Sequence, residues 1–506
     1  MSEEEKVQDS NESKVQEQEQ AQNSFFSLDD VIESTDKASK LSLEERGEID
    51  KGLKELQKWL SASKQSIQKV DKFIIDEMVA EIDQELSLQM DEILQDKDFK
   101  KLESAWRSLK FLVDRTNFEE NIEIEILNVT KEELKADFED NSEITETALY
   151  KQIYLSDLGT YGGEPYGSII SNYEFGPGSG DINFLSNISK ISARSHAPFF
   201  GAASPEMLGV EKFSELPSKQ FDFETNVKYK RWRSFREEEN SRYIGLVLPR
   251  FLLRIPYGKD PGQPDNEERV KTFKYQEKVL DTPENYLWGN AVYAFASRLT
   301  ESFANYRLCV NIIGPESGGT VEQLPMSYYE TGGSICSKDP VEVKISDGRE
   351  LELANEGFIP LVMNKSNDYA TFFSANSVQK PLKFPEKQAT IDYKISTEFP
   401  YLFIASRLSH YLKIILRQKI GSYSDKNKLK SELEKWIKPF VYPDPDPQPA
   451  VLSRKPLKEA IIDIEDMVDE KDGVEMPGWY VADLKITPHY KFMGMYVQIS
   501  LVGKKD

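Results

Sequence analysis

At 506 residues, 39% of them hydrophobic, the chain is too long for one compact core, so two or more domains are expected. A net charge of -23 argues against the basic face that nucleic acid requires and against an anionic membrane surface, and favours a partner with basic patches. Two cysteines, Cys309 and Cys336, and three scattered histidines, His196, His410 and His489, offer neither a disulfide framework nor a metal site; a reducing cytoplasm and no cofactor are expected.

Residues 1–24 are rich in Glu, Gln and Ser and nearly lack apolar side chains, so they read as a disordered acidic tail. The tail ends at Phe25 and Phe26, which open the short apolar patch FFSLDDVI. That patch is either a docking segment for another chain or a strand returning to its own core. From Leu41 to Leu112 the signal is helical. Ile75, Val79, Ile82, Leu86 and Ile93 recur at three- and four-residue spacing, as do Phe99, Leu102, Trp106, Leu109 and Val113, and Asp98 is placed to cap the second run. These faces pack either on the next domain or on helices of a partner.

IEIEILNV, residues 122–129, alternates strictly and predicts a half-buried strand. A helical run, KEELKADFED, follows, and then a glycine-rich stretch ending in GPGSG. That stretch lacks the lysine and the spacing of a phosphate loop, so turns are its better account. Short strands and helices then alternate through 243–255, 286–306 and 308–313, with further strands expected at 341–353 and 358–364. This is the rhythm of an α/β sheet with helices on it. QKPLKFPE marks a boundary, and helices follow at Phe399–Ile420 and Leu429–Ile437. Past the irregular YPDPDPQPA, alternation at Ala460–Ile464, Tyr480–Ile486 and Met495–Leu501 predicts terminal strands, punctuated by Pro477–Gly478 and Met493–Gly494. A terminal strand is easily donated to a neighbour.

The organising stretch is WRSFREEENSRYIGLVLPRFLLRIPYG, from Trp232 to Gly258. Its polar half is helical and its apolar half is a strand that Pro249 must end. Arg233, Arg236, Arg242, Arg250 and Arg254 accompany the acidic run Glu237, Glu238 and Glu239. They are either solvated and paired charges around a buried strand or an arginine-built anion site, and the first reading is preferred because charge runs usually mark solvated faces. No nucleophile–base pairing is evident. His196 is the best acid–base candidate and reads as a buried structural histidine; His410 reads as packing and Cys309 as an inert thiol.

This stretch strongly resembles the large sheath subunit of type VI secretion systems, the TssC, VipB or IglB type. Seven further blocks match in order: KLESAWRSLKFLV, GTYGGEPYGSII, HAPFFGAASPEMLG, LWGNAVYAFASRLTESFA, GGTVEQLP, ATFFSANSVQKP and SHYLKIILRQKIGS. The resemblance implies a mixed α/β, contractile-tail-sheath-like fold with an N-terminal helical region and C-terminal exchanged strands, and a structural protein, not an enzyme. It implies a tail at 1–24, a linker strand and helical region at 25–115 that pairs with a small sheath subunit (TssB, VipA or IglA type), a core domain at 116–385 and a C-terminal domain at 386–506.

The implied partners are that small subunit, neighbouring copies in a helical lattice, an inner tube of Hcp-type hexamers, a baseplate and an AAA+ disassembly ATPase of the ClpV class. Inter-protomer strand exchange is expected at Tyr480, Ala482, Leu484, Ile486, Met495, Val497, Ile499 and Leu501, with Phe25 and Phe26 as a second donated strand. Lattice charge contacts are expected at Arg233, Arg236, Glu237, Glu238, Glu239 and Arg242. Small-subunit packing is expected at Ile82, Leu86 and Trp106. The rival readings are a phage-type contractile sheath needing no small partner, and a cytoplasmic α/β enzyme using His196 or the 159–180 region.

Overall fold

The computed structural model describes residues 51, 72–258, 275–279, 283–331, 333–365, 367–419, 426–444, 448–468 and 475–489. The chain divides into two units, Met1–Ile82 and Asp83–Asp506. The N-terminal elements are helices α1 (Lys72–Gln95), α2 (Lys97–Asp114) and α3 (Lys131–Asp140). Asp96, not Asp98, caps α2, because its carboxylate accepts the amides of Asp98 and Phe99.

The second unit is built on a six-stranded sheet. Strand β1 (Ile169–Phe175) is its edge, followed in sequence by helix α4 (Ser179–Ser195), β2 (Phe199–Ala203), helix α5 (Lys230–Glu237), β3 (Ile244–Leu248) and the short β4 (Phe251–Leu252). Next come β5 (Trp288–Gly289), helix α6 (Ala291–Tyr306), β6 (Thr320–Val321), the hairpin β7 (Ser327–Thr331) and β8 (Ser334–Lys338), helix α7 (Asp347–Asn355), β9 (Phe358–Met363) and β10 (Ala370–Phe372). The sheet order is β1-β2-β3-β9-β10-β6, parallel from β1 to β9 and antiparallel beyond. β3 ends one residue before Pro249, as a residue without an amide hydrogen requires. Leu308–Ile313 is irregular, and the strand expected at 341–353 is largely helix α7: Ser346 precedes it and Asp347 and Glu350 sit in its first turn, a helix-start pattern.

β3 shows how the core is divided. Ile244, Leu246 and Leu248 enter one apolar cluster with α4, α5 and α7; Val247 enters a second with α6. The sheet is therefore covered on both faces, which is why its parallel strands read as continuous apolar runs. The second cluster also holds Phe399 and Phe403 of helix α8 (Phe399–Lys419). Phe200 packs on Phe399 at 4.6 Å and on Phe295 at 4.9 Å between ring centroids. Gly245 is required there, since a Cβ would lie 2.6 Å from the Phe200 ring and 2.9 Å from Phe399.

A third cluster joins α8, helix α9 (Lys426–Ile437) and the hairpin β11 (Leu457–Val468) and β12 (Glu475–Pro488). Pro477–Gly478 does not end β12. Val468 pairs with Glu475 and Asp466 with Tyr480, so the dipeptide sits in a bulge of the longer strand.

Residues 122–129 form no strand. They are extended, with the side chains of Ile122 and Ile124 half-buried and those of Glu123 and Glu125 exposed, but pair with no other strand among the described residues. The alternation matches the half-buried and exposed side chains of residues 122–125, while no neighbouring strand among the described residues supplies the ladder.

Candidate functional site

The surfaces around β3 and the N-terminal helices carry the functional expectations. Arg236 is buried, 4% exposed. Its guanidinium donates to the Val378 carbonyl at 3.0 Å and the Asn355 carbonyl at 2.9 Å, and pairs with Glu356. It thus neutralises the C-terminal end of α7. Burial lowers its pKa against the opposing pull of Glu356. Arg236 is therefore an internal staple, a correction to its expected place among the lattice contacts. Arg233 donates to the Phe223 and Asn226 carbonyls at 2.7 and 2.9 Å. Arg242 lies 3.7 Å from Glu239. Glu237, Glu238 and Glu239 are exposed, and the Glu238 carboxylate accepts a bond from Ser186 at 2.9 Å.

At the other end of β3, Arg250 forms two 2.7 Å bonds to Glu342. Arg254 donates to Glu277 at 2.6 and 3.1 Å and to Glu103 of α2 at 2.9 Å, and Glu103 also receives Arg107 at 2.7 Å. Burial works against the Arg254 charge, yet its bonds to Glu277 and Glu103 hold its pKa above the ordinary value. Burial likewise opposes the Glu103 charge, but Arg254 keeps that carboxyl below its usual range. No arginine of the stretch faces an empty anion pocket: each guanidinium has a carboxylate or carbonyl of this chain. The GPGSG loop is similarly filled from within, since Asp181 accepts the Gly176 amide at 2.9 Å and pairs with Lys131 and Lys135.

This network straps α2 onto the unit through a polar face. Ser104 Oγ donates to the Trp288 carbonyl at 2.8 Å, and beside it Phe111 packs on Phe251 at 4.9 Å. The apolar stripe Leu102, Trp106 and Val113 points outward; Trp106 is 64% exposed. On α1, Ile82 and Leu86 are 52% and 43% exposed. α2 therefore buries Phe111 and Leu112 yet also leaves an apolar stripe in solvent, where a surface helix would be polar. The sequence signal lay in the charged pair Glu103 and Arg107, four residues apart and beside the stripe on the helix surface.

The histidines are structural in their bonding. His410 is buried in α8 and its Nε2 donates to the Ser195 carbonyl at 2.7 Å; desolvation pulls its pKa to about 4. His196 caps α4 in the left-handed conformation, with Nδ1 3.3 Å from the Tyr243 hydroxyl, and desolvation lowers its pKa as well. His489 Nε2 meets the Tyr442 carbonyl at 2.8 Å. The Cys309 thiol is pushed up to about 12 by desolvation, so it stays protonated. Among the described residues no cluster of three metal-ligating side chains occurs, and no helix is long and apolar enough to cross a membrane.

In the terminal hairpin Ala482, Leu484 and Ile486 are half-buried against the third cluster, and Ile486 pairs with Ala460 and Ala482 with Ile464. Tyr480 sits opposite Asp466 in the same ladder. Phe25, Phe26, Met495, Val497, Ile499 and Leu501 lie outside the described residues.

Two family models match the chain, the EvpB/VC_A0108 tail sheath N-terminal domain over residues 76–379 and the EvpB/VC_A0108 tail sheath gpW/gp25-like domain over residues 388–505. The chain belongs to the type VI secretion tail sheath family. It is 38% identical over 436 residues to the type VI secretion system sheath protein TssC1 of Pseudomonas aeruginosa, covering 85% of each chain. This sheath chain is thus a large sheath subunit of the TssC and VipB type, with a mixed α/β fold.

Two outcomes follow from the site's electrostatics. Glu277→Ala leaves a buried guanidinium short of its main partner and should cost about 3–5 kcal/mol in urea unfolding, whereas exchanging Arg254, Glu103 and Glu277 together for Met and Leu should cost much less. His410 binds its proton more weakly folded than unfolded. Its contribution to stability is present above the ordinary imidazole value of 6.5 and is lost as pH falls toward about 4. Melting temperatures between pH 7 and pH 4.5 should fall less steeply for His410→Gln than for the unaltered chain.

Proposed function

We propose that this large subunit acts structurally, without catalysis. It forms a heterodimer with a small sheath subunit of the TssB, VipA or IglA type, and the heterodimers polymerise around an Hcp-type inner tube. Contraction of that sheath, docked on a membrane-anchored baseplate in the bacterial cytoplasm, propels the tube and its effectors toward a target cell. A ClpV-class ATPase then recycles the contracted form.

The observation that carries the pairing is the exposure of the apolar residues Leu86 and Trp106, and of Ile82 in the preceding unit. Apolar surface of this kind exposed in an isolated chain is stabilised when a partner's helices cover it. The corresponding division of labour is a tail at 1–24, a pairing region at 25–115, a core at 116–385 and an assembly domain at 386–506.

Polymerisation through exchanged strands is supported by the β11–β12 hairpin, which forms a two-stranded sheet among the described residues and so has edges to which a strand can add. A donated strand survives rigid-body rotation of its protomer because the flanking linker absorbs the movement. The strands assigned to this exchange are Tyr480–Ile486 and Met495–Leu501, with Phe25 and Phe26 as a second donor. Glu237, Glu238 and Glu239, exposed beside Arg233 and Arg242, are assigned to charge contacts between protomers that strengthen on contraction.

Co-expression with the small subunit followed by negative-stain microscopy tests the proposal. Deleting residues 494–506 should abolish tubes while leaving co-purification of the small subunit intact; tubes of normal length from that truncation would refute the exchange. Reversing the charges of Glu237, Glu238 and Glu239 should impair assembly or contraction with little effect on folding, and normal contracting tubes would remove these residues from the lattice.

A further inference from the structure

The extended segment Ile122–Val129 belongs to no ladder among the described residues. Among the described residues, none of its eight amides donates a hydrogen bond. Its shape is held by other means. Asn121 turns the chain in the left-handed conformation before it, and the Thr130–Glu133 capping box ends it. The Tyr166 hydroxyl bonds Glu125, the Tyr173 hydroxyl of edge strand β1 donates to the Val129 carbonyl at 2.7 Å, and Lys131 reaches the Glu174 carbonyl. The segment is thus anchored through side chains, and no described residue accepts from its row of amides. Regular, unpaired backbone in an extended conformation is what an incoming strand pairs with.

Two further features point the same way. Ile126 and Leu127 are consecutive, so they project to opposite faces, and both are exposed, at 67% and 58%. A strand meant for solvent would carry a polar residue at one of them. The surroundings are acidic: Glu119, Glu123 and Glu132 have no cation partner among the described residues, and the nearby Lys131 and Lys135 are engaged by Asp181. A second copy of a chain with net charge -23 is a poor occupant for such an edge, and FFSLDDVI, with two aspartates, is another. The outward stripe of α2 leads in sequence through the exposed Phe118 into this segment, so one partner can cover both.

We propose that Ile122–Val129 is an acceptor edge that receives an extended, lysine- or arginine-bearing strand from a second, non-identical chain, the small sheath subunit. This rests on the heterodimer proposed above. The incoming strand satisfies the open amides, buries Ile126 and Leu127, and is selected by charge against Glu119, Glu123 and Glu132.

Hydrogen exchange at single-residue resolution on the full chain, alone at low and high concentration and then in complex with the small subunit, tests it. The 122–129 amides should exchange freely in the chain alone, and alternate ones should slow by roughly a hundredfold or more in the complex. Failure to form any complex overturns the heterodimer itself. A complex in which these amides stay fast overturns the acceptor edge alone. Slowing in the chain alone as its concentration rises assigns the edge to a second copy and also overturns the proposal.

Ile126→Asp with Leu127→Asp alters only exposed side chains, so melting should be unchanged while affinity for the small subunit falls at least about tenfold. Glu123→Lys should weaken binding too; tighter binding overturns the basic character of the incoming strand.

Discussion

A strand covered on both faces has no room for charge along its length, so its charges must sit at its ends. β3 is such a strand, and arginines stand at both of its ends. Arg236 before it gathers the end of α7 and the Val378 carbonyl; Arg250 and Arg254 beyond it gather Glu342, Glu277 and Glu103. Each bond reaches far along the chain, from 23 to 151 residues away for Arg254 alone. The central strand and its flanking cations therefore organise elements that sequence keeps apart. A guanidinium suits this work because it stays charged when buried and offers several donors in a fixed plane.

The same arrangement explains why α2 presents its greasy side to solvent. Its inward face is committed to Arg254 through Glu103 and to the Trp288 carbonyl through Ser104, with Phe111 as its main apolar contact. The leftover apolar residues point out as a stripe, and the extended segment that follows carries a row of amides from which no described residue accepts. Apolar surface and unpaired backbone next to one another are costly in an isolated chain and complementary to a partner that supplies both a helix face and a strand.

Much of this was legible from residue order. The helix-to-strand switch at Trp232–Leu248, the buried α8, the hairpin near the C-terminus and the structural histidines all follow from period, proline placement and apolar runs. The family was legible through blocks such as KLESAWRSLKFLV and HAPFFGAASPEMLG. What residue order could not show is where a side chain's partner comes from. Arg236 and Arg242 sit six residues apart among the same glutamates, yet one is buried in the core and the other lies near the surface. The partners of Arg236, Asn355 and Glu356, come from the far end of a distant helix. IEIEILNV has the pattern of a paired strand because the pattern encodes a pleat with one inward face, and it carries no information about which chain pairs with it. Residues 341–353 misread as strand because Val341, Val343 and Ile345 alternate up to the cap of α7.

Phe399 and Phe403 belong to the segment matched by the gpW/gp25-like model, yet they pack with Phe200 and Phe295 of the segment matched by the N-terminal model. His410 adds a bond across the same seam to the Ser195 carbonyl. Two segments that share one aromatic core do not melt independently, so α8 and the central sheet form a single cooperative block. Unfolding α8 would take Phe399 and Phe403 out from beneath the sheet and His410 away from the end of α4, so loss of the helix exposes apolar surface of both matched segments at once.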